Sequence, residues 1–174
     1  IIILLAVGYL LGPHPSPASF NNTLPNIPDH INLDSLVQAG EQQHRLKANN
    51  EAKIVWADSL HQPTEYAIIY LHGFSASRME GAPVHENIAK AFHCNLYLAR
   101  LAEHGIDTTE DLMNLTAEKY WESAKQAYAI GKKLGKKVII MSTSTGGTLS
   151  LQLAAAFPEI AGLVMYSPNI EINN

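Results

Sequence analysis

From Asp34 to Tyr166 the chain alternates between stretches whose apolar residues recur at helical spacing and short runs rich in β-branched and aromatic residues. The 33–48 stretch reads as an amphipathic helix, 53–57 and 66–71 as strands, and 83–93 as a helix with Pro83 in its first turn. A strand over 95–101 comes next. Thr116 can cap a helix that runs to Leu134, with Glu118 in its first turn and Gly135 as its stop. The run 137–141 is a β-branched strand, 145–157 a helix and 161–166 a last strand. Strands separated by helices predict an α/β domain, a mainly parallel sheet with helices on both faces. No internal repeat or low-complexity segment interrupts the pattern.

The beginning of the chain has a different character. It starts without methionine on the apolar run 1–11, and a helix over 1–12 would be about 18 Å long, short of the roughly 30 Å hydrocarbon core of a bilayer. That length predicts the core of a signal peptide or the end of a membrane anchor, with a buried strand as the alternative. The segment Gly12-Pro13-His14-Pro15-Ser16-Pro17-Ala18 carries too much proline for helix or central strand, so 13–32 reads as a linker and 33–174 as the folded domain. Ser16-Pro17-Ala18 also offers the small residues that a signal peptidase requires. No Lys or Arg appears before Arg45, and that bare flank suits the non-cytoplasmic side of a membrane. The expectation is a membrane-anchored or exported domain whose membrane contact is the amino-terminal apolar segment.

Composition narrows the class. With 174 residues, 47% of them hydrophobic and 16% charged, the chain can form one ordinary globular domain, and disorder, collagen and coiled coil are excluded. A formal charge of −4 gives no overall attraction to nucleic acid. Lys132, Lys133, Lys136 and Lys137 are the one basic cluster, and around Gly135 they complement the negative end of a helix dipole. The single cysteine, Cys94, reads as a buried apolar filler.

The candidate chemistry sits where two strands end. In Val138-Ile139-Ile140-Met141-Ser142-Thr143-Ser144-Thr145-Gly146-Gly147 a serine falls on a sharp turn between a buried strand and a helix. Such a turn strains its central residue and needs small residues two before and two after it. Around Ser144 these are Ser142 and Gly146. Around Ser142 they would be Ile140 and Ser144, and Ile140 is too bulky, so Ser144 is the better nucleophile. Earlier, Ile68-Ile69-Tyr70-Leu71-His72-Gly73-Phe74 ends another buried strand on a His-Gly turn at the same carboxyl edge, where open parallel sheets bind ligands. There the backbone N–H groups of Phe74 and Thr145 can face one point. Two such donors suit a tetrahedral oxyanion, and losing one in comparable sites costs about 3 to 4 kcal/mol.

Three motifs, His72-Gly73-Phe74, Arg100 through His104-Gly105, and Ser142 to Gly147, make the chain resemble the amino-terminal part of an α/β-hydrolase of the carboxylesterase, monoacylglycerol lipase and serine aminopeptidase kind. The resemblance runs from about Lys53 to the last strand. It implies a serine hydrolase that cleaves an ester-like acyl substrate through an acyl-enzyme, with Ser144 as nucleophile, Phe74 and Thr145 as the oxyanion hole, and no metal or cofactor. His104 resembles the family's structural His-Gly turn. The order expected in this fold is nucleophile, acid, histidine. After Ser144, however, the sequence has no Asp and no His. Its only acids there are Glu159, a solvated surface group by its place beside Pro158, and Glu171. The family continues past Tyr166-Ser167-Pro168-Asn169 into a cap and two more strands, so the carboxyl-terminal strands with acid and histidine are expected to lie outside these residues. His72 is the front-half histidine nearest the turn, although the family uses that position to shape it.

Other chemistries find no support. His85-Glu86 lacks the second histidine of a zinc protease helix because Ala89 stands there, and no phosphate-binding glycine loop occurs. Trp56, Trp121, Tyr120 and Tyr128 read as core or half-buried packing rather than as a platform for bases. The alternative from another class is a hydrolase-like fold that has lost catalysis and serves as a membrane-tethered binding domain.

Overall fold

The computed structural model describes residues 8–9, 11–12, 18–29, 32–110 and 112–170. Most of the expected signal or anchor segment over 1–12 lies outside them, and no helix among the described residues is long and apolar enough to cross a membrane.

Among the described residues five strands form one sheet in the order β1-β3-β2-β4-β5: β1 (Lys53–Val55), β2 (Thr64–Leu71), β3 (Asn95–Leu98), β4 (Gly135–Thr143) and β5 (Gly162–Tyr166). Only β1 is antiparallel to its neighbour. This is the mainly parallel sheet that the alternating pattern predicts. The period of two along β2 sends Ala67, Ile69 and Leu71 to one core and Ile68 and Tyr70 to the other. The larger core is closed by α1 (Leu33–Glu41), α3 (Ala117–Leu134) and α4 (Thr145–Ala156), through residues such as Val37, Trp121, Tyr128, Leu149 and Leu153. The smaller core holds Leu96, Leu98, Met141 and Cys94 beneath α2 (Val84–Ala91), whose Ala89 joins it. Both faces are therefore covered, which is why β2, β3 and β4 read as continuous apolar runs.

Local signals set most boundaries. Thr116 Oγ1 accepts the Lys119 N–H at 3.2 Å and caps α3, and Asn32 Oδ1 accepts the Ser35 N–H at 2.9 Å and caps α1. The helix expected over 33–48 ends at Glu41, because tertiary partners claim residues 41–46. The Glu41 carboxylate accepts the Ala52 N–H and Arg100 Nε, both at 2.8 Å, and Leu46 pairs across an antiparallel bridge with Ile106. The strand expected over 95–101 stops at Leu98, and residues 99–101 turn toward the end of β2. A short 3-10 turn, Arg78–Gly81, capped by Ser77, has no counterpart in the hydrophobic pattern. Each lysine around Gly135 meets an acid: Lys132 with Glu159 at 3.2 Å, Lys133 with Asp29, Lys136 with Glu65 at 3.0 Å and Lys137 with Glu65 at 3.7 Å.

Within the linker expected over 13–32, the described residues 18–29 run without regular helix or strand and are fastened along α3. The Trp121 indole N–H donates to Asn21 O at 2.7 Å. The ammonium of Lys125, fully buried, donates to Asn21 Oδ1 at 2.8 Å and Thr23 O at 2.9 Å and pairs with Glu122. Ile27 enters the larger core. A buried ammonium is tolerated only with its hydrogens satisfied, and here backbone and side-chain oxygens supply that.

Candidate active site

The His-Gly turn after β2 and the serine turn after β4 leave neighbouring strands at the same edge of the sheet. Leu71 pairs with Ser142 in parallel register, so the chain emerging from β2 at His72 lies beside the chain emerging from β4 at Ser144. Ser144 has φ 52° and ψ −118°, a conformation that costs a residue bearing a Cβ roughly 1 to 3 kcal/mol. Its surroundings over-determine it. The Ser144 N–H donates to Tyr166 O at 3.0 Å, and its carbonyl accepts the N–H groups of Gly147 at 2.9 Å and Asn169 at 3.0 Å. At Gly146 a Cβ would stand 2.2 Å from Leu71 O and 2.7 Å from His72 O, so only glycine lets α4 start this close to β2. Ser142 is fully buried, and its hydroxyl has no hydrogen-bond partner among the described residues.

Gly73 forms the wall on the other side. A Cβ placed on it would lie 3.2 Å from Ser144 Cβ and 3.1 Å from Glu80 Oε1, so the serine and this carboxylate flank the same glycine. Among the described residues the N–H groups of Phe74 and Thr145 meet no acceptor. Thr145 is the first residue of α4, where such donors are left open by helix geometry and the dipole favours negative charge. Phe74 is 58% exposed, and its ring meets His104 edge-on, with centroids 6.0 Å apart.

Both histidines of these turns are committed to structure. His72 is fully buried; its Nε2 accepts the Leu101 N–H at 3.1 Å, which leaves the ring proton on Nδ1 to donate to Gly73 O at 2.9 Å. His104 Nε2 accepts the Ser75 N–H at 3.2 Å, and its Nδ1 donates to Ala102 O at 2.8 Å. Ala99 N–H still donates to Tyr70 O on β2 at 3.2 Å, and beyond it the bond from Leu101 to His72 draws the chain after β3 against the His-Gly-Phe turn. Burial pushes His72 down to about 4 and His104 below its ordinary value.

The His72 shift has a consequence for stability. The unfolded ring takes up a proton below its ordinary pKa of 6.5, while the folded ring does not until about 4. Stability is therefore full above pH 6.5 and falls as the pH drops toward 4, by about 3 kcal/mol from this group. Urea melts at half-unit steps between pH 7 and 4 should show the loss, and His72→Gln should flatten it. An equally steep acid loss in the variant would assign it elsewhere.

Among the described residues no group of three His, Cys, Asp or Glu side chains converges as a metal centre would. His85 Nε2 donates to Arg78 O at 2.9 Å inside the fold, and Glu159 pairs with Lys132 at the surface. Glu171 lies outside the described residues.

No protein-family model matches the chain. A thermostable monoacylglycerol lipase of Bacillus sp. (strain H-257) is 30% identical over 105 residues, which are 60% of this chain and 41% of that protein. Among solved structures, a metagenome-derived lipolytic enzyme superposes over 70% of this chain and 46% of its own with a TM-score of 0.61 at 21% identity. The chain has the α/β-hydrolase fold. An esterase of Pyrococcus furiosus agrees, with a TM-score of 0.51 at 17% identity over 72% of this chain and 47% of that one. The chain thus spans less than half the length of these relatives.

Within this hydrolase fold, side chains that carry no sequence motif surround the serine turn. Tyr70, on β2, bonds Thr143 Oγ1 at 2.9 Å and donates to Glu80 Oε2 at 3.4 Å; burial raises its hydroxyl to about 12 and keeps it protonated. The Gly73 N–H donates to Glu80 Oε2 at 2.7 Å. Tyr120, expected only to pack, also meets Thr145 Oγ1 at 3.1 Å through its hydroxyl. Strand alternation places Tyr70 in a core without showing that its hydroxyl reaches the far end of β4. No sequence signal marks Glu80.

Proposed function

We propose that the complete protein is a serine hydrolase that cleaves ester-like acyl substrates through an acyl-enzyme on Ser144. The observation that carries this reading is the backbone of Ser144, held at φ 52° on a strand-to-helix turn, together with the N–H groups of Phe74 and Thr145, which meet no acceptor among the described residues. The likeness to a monoacylglycerol lipase supports an ester as the substrate class.

In this reading Ser144 Oγ attacks the acyl carbonyl and its proton passes to a general base. The carbonyl oxygen, now an anion, accepts from the N–H groups of Phe74 and Thr145. Collapse expels the alcohol and leaves the acyl group on Ser144, and water then releases it by the reverse sequence. His72 takes no part in proton transfer, since both ring nitrogens are engaged in holding the turn. No His or Asp lies beyond Ser144 among the 174 residues, so none of these residues is assigned as the base or as the acid that orients it. The experiment that tests the assignment is mass mapping of a serine-directed fluorophosphonate on the complete protein, with Ser144 as the expected site.

A further inference from the structure

We propose that Glu80 is the positioning residue of the oxyanion turn: by accepting the Gly73 N–H it aims the next donor, Phe74 N–H, at the point that Thr145 N–H also faces. The proposal rests on the reading of Ser144 as nucleophile. Gly73 has no side chain to fix its peptide, and without a partner its N–H would turn to water and carry Phe74 with it. Glu80 Oε2 holds that N–H at 2.7 Å, the shortest of the contacts at this turn.

The carboxylate stands on a rigid base. Arg78, 7% exposed, donates through Nε to Glu51 O at 2.9 Å and pairs with Glu51 Oε1 at 2.6 Å. The Arg78 carbonyl accepts from His85, and at Gly81 a Cβ would stand 2.5 Å from the His85 ring and 2.6 Å from the Tyr70 ring. The 3-10 turn is thus locked on both sides of Glu80. From the same oxygen a second chain runs through the Tyr70 hydroxyl to Thr143 Oγ1, one residue before Ser144. One carboxylate therefore ties the turn after β2 to the turn after β4, and sets the spacing between the two donors. A negative charge beside a developing oxyanion gives no electrostatic help, so the advantage of Glu80 lies in geometry. Misplacing such a donor by about 1 Å is enough to lose on the order of 100-fold in rate.

The test uses the complete protein and p-nitrophenyl butyrate. Glu80→Ala should lower kcat by about 30- to 100-fold with KM within about twofold, and Glu80→Gln, which keeps an acceptor oxygen for Gly73, should restore kcat to within about fivefold of the native value. Wild-type kcat in Glu80→Ala overturns the proposal. So does Glu80→Gln as slow as Glu80→Ala, which would make the charge and not the acceptor the active feature, and so does a rise in KM alone, which would make Glu80 a substrate contact. Should Glu80→Ala not fold, Tyr70→Phe decides, with a loss of about fivefold or more in kcat expected and an unchanged kcat overturning. Ser144→Ala run in parallel separates the two claims. If it stays active the reading of the site fails, and if it is dead while Glu80→Ala is fully active only the role of Glu80 falls.

Discussion

Ser144→Ala should abolish ester hydrolysis by the complete protein, lowering kcat by roughly 10⁶-fold, the loss seen when a serine hydrolase forfeits its nucleophile. Folding should survive, because Ser144 donates and accepts through its backbone and alanine keeps those bonds. The neighbouring Ser142→Ala makes the contrast. The Ser142 hydroxyl is buried without a partner among the described residues, so its removal should leave kcat within a fewfold of native and raise stability by about 1 kcal/mol. Initial rates on p-nitrophenyl butyrate together with thermal melts read both effects. A Ser142→Ala protein that is folded and dead would move the nucleophile two residues upstream.

The second large effect concerns the fold around that serine. In Gly146→Ala the new methyl would sit 2.2 Å from Leu71 O and 2.7 Å from His72 O, both backbone atoms of the central strand and the turn at its end. Neither can give way without breaking the parallel ladder between β2 and β4 or lifting α4 off the sheet. The expected cost is on the order of 3 kcal/mol or more, beyond ordinary overpacking because no rotamer relieves it. Gly40→Ala provides the control. At Gly40, in the last turn of α1, a Cβ meets nothing within 4 Å, so alanine should be neutral or stabilising by up to about 1 kcal/mol. The urea midpoint of Gly146→Ala should fall while that of Gly40→Ala holds or rises, and a Gly146→Ala protein as stable as native would contradict the close approach of α4 to β2.

What can be read from the sequence divides along the range of the forces involved. Thr116, Gly135 and the apolar run of β4 act on their own neighbours, and the elements they mark lie within two residues of their expected ends. The strained turn at Ser144 is legible through a local steric rule, small residues two before and two after, and in three dimensions Gly146 does abut Leu71 O. The end of α1 is not legible in this way because it depends on distant partners. Glu41 turns inward to Arg100, and Leu46 meets Ile106, contacts across some sixty residues that no helical pattern over 33–48 can show. Residues 18–29 carry linker composition, yet their backbone oxygens are what the buried Trp121 and Lys125 on α3 require. Glu80 is hidden for the same reason. Its partner is a backbone N–H seven residues away on another turn, and nothing in Ser77-Arg78-Met79-Glu80 announces it.

In the proposed reaction the hydroxyl on the strand-to-helix turn is the group that takes the acyl chain. A fluorophosphonate tests it most directly, because it phosphonylates only an activated serine, losing fluoride, and leaves a fixed mass on the residue that reacted. The complete protein should take up one equivalent, lose its activity on p-nitrophenyl butyrate in proportion, and yield after proteolysis a modified peptide whose fragment ions place the added mass on Ser144. Mass on Ser142, or full inactivation with Ser144 unmodified, would contradict the account.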